Sequence, residues 1–192
     1  MGSLSHPRQH DDLLNFQLKR LVRYGGAPAV RLLEGRFGVT RREWRLVAAL
    51  VEDGEMTLTD LVRRAQLDQG CVSLNAKALV GKGLVERSKL PDNRRRALLR
   101  ATPAGRELYD ALFPQLACIN VRILAALSGE EVAQLESILG KLTKRVLEIH
   151  EAGGGVDVRT DRRLGGSQRF WRGPREPATS EQADAIPAAA KP

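Results

Sequence analysis

Aromatic side chains make up only 4% of the 192 residues, cysteine occurs twice and histidine three times. No apolar run approaches the roughly 18 residues needed to cross a bilayer. Each scarcity excludes something. Cys71 and Cys118 are too few for a thiolate metal quartet and match no disulfide framework, so a reducing compartment is expected. His6 and His10 stand four apart beside a proline with no third ligand, and no metal or other cofactor is implied. The opening "MGSLSHPRQH" has no apolar signal core, which leads to the expectation of a cytoplasmic protein with no membrane partner. Absent too are a phosphate loop ending in GK[ST], H-E-x-x-H and G-x-S-x-G, and an enzyme is not expected.

What the chain does have is positive charge. Thirty-one basic residues face 23 acidic ones, a formal net charge of +8, which makes a polyanion the first partner to consider. From Glu151 onward the text turns to glycine clusters with scattered proline and alanine, and residues 151–192 are expected to be a disordered tail. That tail holds seven basic and six acidic residues, so the excess lies in a body of residues 11–150. The segment "RRLGGSQRFWRGPR" within it reads first as solvated chain, with contact to a phosphate backbone or a protein neighbour as the other reading.

The body reads as helices introduced by hydroxyl or carboxylate caps, each able to accept from exposed first-turn amides. Thr40, Thr57 and Ser128 begin capping-box patterns ("TRRE", "TLTD", "SGEE"), Thr102 precedes Pro103, and Asp68 introduces a further helix. Two short helices, one carrying Leu58, Leu61, Val62 and Ala65 and the next Val72, Ala76 and Leu79, are joined through "QLD", as in a helix-turn-helix. "GLVERSKL" and "RRRALLRA" flank the turn "PDN" and predict a two-stranded hairpin, a wing. Residues 82–106 contain eight basic side chains against Glu86 and Asp92, and are read as lacking partner acids. Pro114 is expected to kink or re-aim a long helix that follows Thr102.

The stretch "LTDLVRRAQLDQGCVSLNAKALVGKGLVERSKLPDNRRRALLRATPAGRELY" resembles the winged helix-turn-helix core of the MarR family of bacterial transcription regulators. The wing, "DNRRRALLRATPAG", is similar to that family's aspartate-any-arginine strand and its closing leucine-threonine-any-any-glycine, with Ala101 in place of the leucine. "EGRFGVTRREW" resembles a subset associated with regulation of aromatic-compound breakdown. The resemblance implies a mainly α fold with a DNA-binding winged unit over 40–101 and dimerisation helices over 11–36 and 102–150. It also implies a homodimer on a pseudo-palindromic duplex in the bacterial cytoplasm, associated with the nucleoid.

On that footing the helix over about 68–83 lies in the major groove and Arg94 enters the minor groove, oriented by Asp92, since a guanidinium suits a narrow electronegative groove. Gln69 is suited to adenine, Lys77 to guanine or phosphate, and Leu74 to a thymine methyl, with Gly70, Ser73, Arg87, Arg95 and Arg96 completing the expected surface. Arg20, Tyr24, Arg41, Arg42 and Trp44 are candidates for a pocket taking a small aromatic acid, against an ordinary core role for Trp44. Leu14, Leu18, Leu116, Ile119, Ile123, Leu135, Leu139, Leu142 and Val146 are the expected dimerisation residues. Cys71 at a helix start is read as small apolar filler, with a redox switch as the other reading. A winged domain that holds a protein rather than a duplex is the alternative function, because the fold does not dictate the task.

Overall fold

A computed structural model describes residues 3–90 and 93–153. After a 3-10 turn at His10–Asp12 the helices are α1 (Leu14–Gly25), α2 (Ala27–Arg36), α3 (Arg41–Glu52), α4 (Leu58–Ala65), α5 (Gln69–Gly81), α6 (Pro103–Leu124) and α7 (Gly129–Glu151). Three strands, β1 (Met56–Thr57), β2 (Val85–Leu90) and β3 (Asn93–Ala101), form an antiparallel sheet in the order β1-β3-β2. The fold is a winged helix-turn-helix. Its sheet differs from the expected two-stranded hairpin, because Met56 and Thr57 pair with Leu99 and Leu98. Two residues are too few to carry an alternating signal of their own. The expected tail from residue 154 onward lies outside the described residues.

Caps set the boundaries. Thr40, Thr57, Asp68, Thr102 and Ser128 each accept from a backbone N–H three residues on. The Thr40 and Ser128 boxes are reciprocal, whereas at Thr57 the hydroxyl donates to Asp60 Oδ2 at 2.5 Å. Helix α4 ends on Gln66, which adopts the left-handed conformation (φ 52°) and reverses the chain so that Asp68 can start α5. Helix α6 runs through Pro114 without a break.

The chain divides into two units, Met1–Leu127 and Ser128–Pro192. In the first, Leu46, Val47 and Leu50 of α3 pack with Leu61 of α4, Val72 and Leu79 of α5, and Val85 and Leu99 of the sheet. Each fully buried side chain of this size contributes about 1.5–3 kcal/mol, so this cluster holds α5 against the wing. A second cluster joins Leu33 of α2, Val39 and Leu112 of α6, with Trp44, Phe37 and Leu116 against it. In the second unit α7 carries Ile138, Leu139, Val146, Leu147 and Ile149, all exposed.

Gly105 is required by close approach. It is buried in the first turn of α6, and a Cβ there would overlap the Leu84 carbonyl oxygen. That oxygen accepts from the Thr102 N–H at 3.1 Å, while the Thr102 hydroxyl donates to the Gly83 carbonyl at 2.7 Å. The "TPAG" pattern therefore welds the end of the wing to the long helix.

Candidate nucleic-acid interface

Helix α5 buries Val72, Ala76 and Leu79, and helical geometry then leaves Gln69, Gly70, Ser73 and Lys77 in solvent. Leu74 is 71% exposed on the same outer side. Val80 is exposed on the same helix, so the outer side of α5 mixes apolar and polar groups. Cys71 is half-buried, and the Asn75 side-chain amide donates to its carbonyl at 2.7 Å.

Between α5 and the sheet lies a crevice of about 210 Å³, with Ser73, Lys77 and Arg87 at its polar edge and Ala76, Val80 and Leu99 below. Two cations from different elements thus border one recess. Arg87 is exposed on β2, opposite Leu99 of β3. The side chains of Arg94, Arg95 and Arg96, and all of Asp92, lie outside the described residues; the backbone of the three arginines belongs to β3.

The expectation that the charge of residues 82–106 goes unanswered is corrected at two positions. Arg100 donates to Glu86 Oε1 directly across the strands, and this hydrogen bond and charge hold its pKa above the ordinary arginine value. Lys82 Nζ lies 2.8 Å from Glu43 Oε1 and donates to the Gly38 carbonyl at 2.8 Å. Glu43 is 3% exposed and accepts from the Thr40 N–H at 2.7 Å. Burial pushes its pKa up, but the Lys82 hydrogen bond, the Thr40 amide and the Lys82 charge together bring it below the ordinary value. This pair was missed in the sequence because its partners stand 39 residues apart. It pins the C-terminal end of α5 to the start of α3.

A second polar link was equally silent. Trp44, Tyr109 and Phe113 stack in succession at centroid distances of 5.4 and 5.3 Å, and the Tyr109 hydroxyl donates to Glu52 at 2.9 Å. Glu52 in turn accepts from Arg64 at 2.9 Å, which also pairs with Asp53. Burial and the Glu52 carboxylate raise the Tyr109 pKa. The chain of contacts ties α4, α3 and α6 together.

Of the five candidate effector residues, Trp44 belongs to this stack and to the Leu33–Leu112 cluster, while Tyr24 is 68% exposed. Arg41 lines an open recess at the α1–α2 elbow, whose lining includes none of Arg20, Tyr24, Arg42 or Trp44. Among the expected dimerisation residues, Leu18, Ile123, Leu139 and Val146 are exposed. Leu14, Ile119, Leu135 and Leu142 are half-buried, and Leu116 packs on the second cluster. No single helix among the described residues is long and apolar enough to cross a membrane.

Known proteins share this arrangement. The chain is 27% identical over 112 residues to the uncharacterized HTH-type transcriptional regulator YdgJ of Bacillus subtilis, covering 58% of this chain and 68% of that one. It is similar to the crystal structure of a probable transcriptional regulator from Pseudomonas aeruginosa, with 29% identity and a TM-score of 0.62 over 70% of this chain and 99% of that one. It also shares the fold of Bordetella bronchiseptica BpsR, whose DNA binding is regulated by 6-hydroxynicotinic acid, at 22% identity and a TM-score of 0.64 over 72% and 98% of the two chains. The stretch that carries the helix-turn-helix and most of the wing, residues 39–97, matches the model of the MarR family.

Proposed function

We propose that this chain is a homodimeric DNA-binding transcriptional regulator of the bacterial cytoplasm, a repressor released by a small aromatic acid. Helix α5 reads the major groove and Arg94 of the wing occupies the adjacent minor groove. The carrying observation is the outer side of α5, where Leu74 stands in water between Gly70, Ser73 and Lys77 while Lys77 and Arg87 border one crevice. An apolar tip flanked by hydrogen-bonding groups and cations suits a base edge bearing a methyl group, framed by phosphates.

Dimerisation is supported by the apolar surface left on α1 and at the end of α6, where Leu21, Val121 and Ile123 are all exposed. To meet two half-sites of one duplex, the α5 helices of such a pair would have to stand about one duplex turn, roughly 34–36 Å, apart. Release by an aromatic acid is supported by the likeness to BpsR, and such a ligand acts only by binding one separation of the reading heads better than another.

The test is gel retardation with the protein's own upstream DNA at several salt concentrations. A discrete complex that survives non-specific competitor is expected, with Arg94→Ala weakening all sites alike. Weak, steeply salt-sensitive and sequence-blind retention would instead favour a protein-binding adapter.

A further inference from the structure

The elbow between α1 and α2 gathers four cations around one recess. Lys19 and Arg23 come from α1, Arg31 from α2 and Arg41 from the first position of α3, above a floor that includes Val22 and Val30. The recess is open to solvent, about 650 Å³ in volume, and its lining contains no carboxylate. Among the described residues none of the four makes an ion pair. Like charges collected without counter-charge repel one another, so an anion placed among them is favoured.

The elbow itself is shaped to admit Arg41. A Cβ at Gly26 would stand 2.6 Å from the Val22 carbonyl oxygen, so the turn itself calls for glycine, and the Arg41 guanidinium lies in the space the missing side chain leaves, 2.9 Å from that Cβ position.

We propose that the elbow binds a small molecule carrying two or more anionic groups, a di- or tricarboxylate or an oligophosphate. One negative charge would answer one of four cations. A ligand with several can bridge α1, α2 and α3 at once. The Glu43–Lys82 pair puts the start of α3 at the C-terminal end of α5, about 20 Å along the helix from Asp68 and about 7–8 Å from Lys77. Arg41 precedes Glu43 by two residues in the same capped turn, so a ligand that draws on Arg41 acts on the turn that pins α5. The regulatory consequence rests on the ligand-responsive reading above; binding does not.

The test is thermal unfolding of the full chain, followed by tryptophan fluorescence, with citrate, tripolyphosphate, formate and acetate at one ionic strength. Citrate or tripolyphosphate should raise the melting temperature saturably, and formate and acetate should not. Each neutralisation (Lys19→Gln, Arg23→Gln, Arg31→Gln, Arg41→Gln) should weaken apparent affinity about 2- to 5-fold, and the quadruple variant should lose the effect. A Lys141→Gln/Lys144→Gln control on α7 should keep it. Equal effects of all four anions, or a shift that survives the quadruple variant, would overturn the site. Should that variant fail to fold, the single Arg41→Gln variant decides by the same criterion.

A duplex arm separates sources of phosphate. In anion-free buffer the quadruple variant should bind upstream DNA within about 3-fold of the parent; a far steeper loss would make the elbow a duplex contact and end the small-ligand proposal. A parent that binds no duplex at all sinks the regulator reading and leaves the anion measurement to stand by itself.

Discussion

Replacing Glu43 by glutamine isolates one charge in the joint between α3 and the end of α5. The amide keeps an acceptor for the Thr40 N–H, which now lies 2.7 Å from Oε2, but it no longer attracts Lys82. A hydrogen bond to a charged group contributes about 1.5–3 kcal/mol. Lys82 remains 39% exposed and partly screened, which argues for a loss of about 1–2 kcal/mol at neutral pH. The sign with pH follows from the folded carboxyl having the lower pKa: its contribution is complete above the ordinary value of 4.5 and disappears as pH falls through the depressed folded value. Urea unfolding of the parent and Glu43→Gln should therefore differ by a constant amount from about pH 6 to 8 and converge below 4.5. A cycle with Lys82→Met should show positive coupling, because Lys82→Met alone leaves a buried carboxylate without its cation. A difference that stays the same down to acid pH, or no coupling, would refute this assignment.

Gly105→Ala should cost about 1–3 kcal/mol, read by urea unfolding, since its Cβ meets the Leu84 carbonyl and helix propensity returns only part of the loss; stabilisation would contradict the close-approach argument. Leu74→Ala should flatten discrimination at one thymine by about 1 kcal/mol without altering salt dependence, measured by competition with single-base operator variants. Lys77→Met should reduce the slope of log affinity against log salt by about one unit if it contacts phosphate.

Much of the fold was legible because its signals are local. Thr40, Thr57, Asp68, Thr102 and Ser128 each announce a helix within four residues, and all five accept as cap side chains. The outer side of α5 was legible for the same reason, as its buried partners Val72, Ala76 and Leu79 recur at helical spacing. Non-local pairings were not. Leu90 faces Asn93 at the turn, and an unbroken ladder from there would put Ala97 opposite Glu86. An irregularity between Lys89 and Leu90 brings Arg100 there instead, so one wing arginine is answered by an acid that a count of charges treated as idle. Arg41 was named from the sequence as a pocket candidate, but its company in the recess was not: Lys19, Arg23 and Arg31 line it together with Arg41 only because the chain turns at Gly26.

Hydroxyl-radical footprinting of the upstream duplex tests the central claim most directly. Two protected patches related by a pseudo-two-fold axis and centred about 10–10.5 base pairs apart, or a multiple of that, are the predicted result. Uniform weak protection along the whole fragment, or one patch without a symmetry mate, would contradict it.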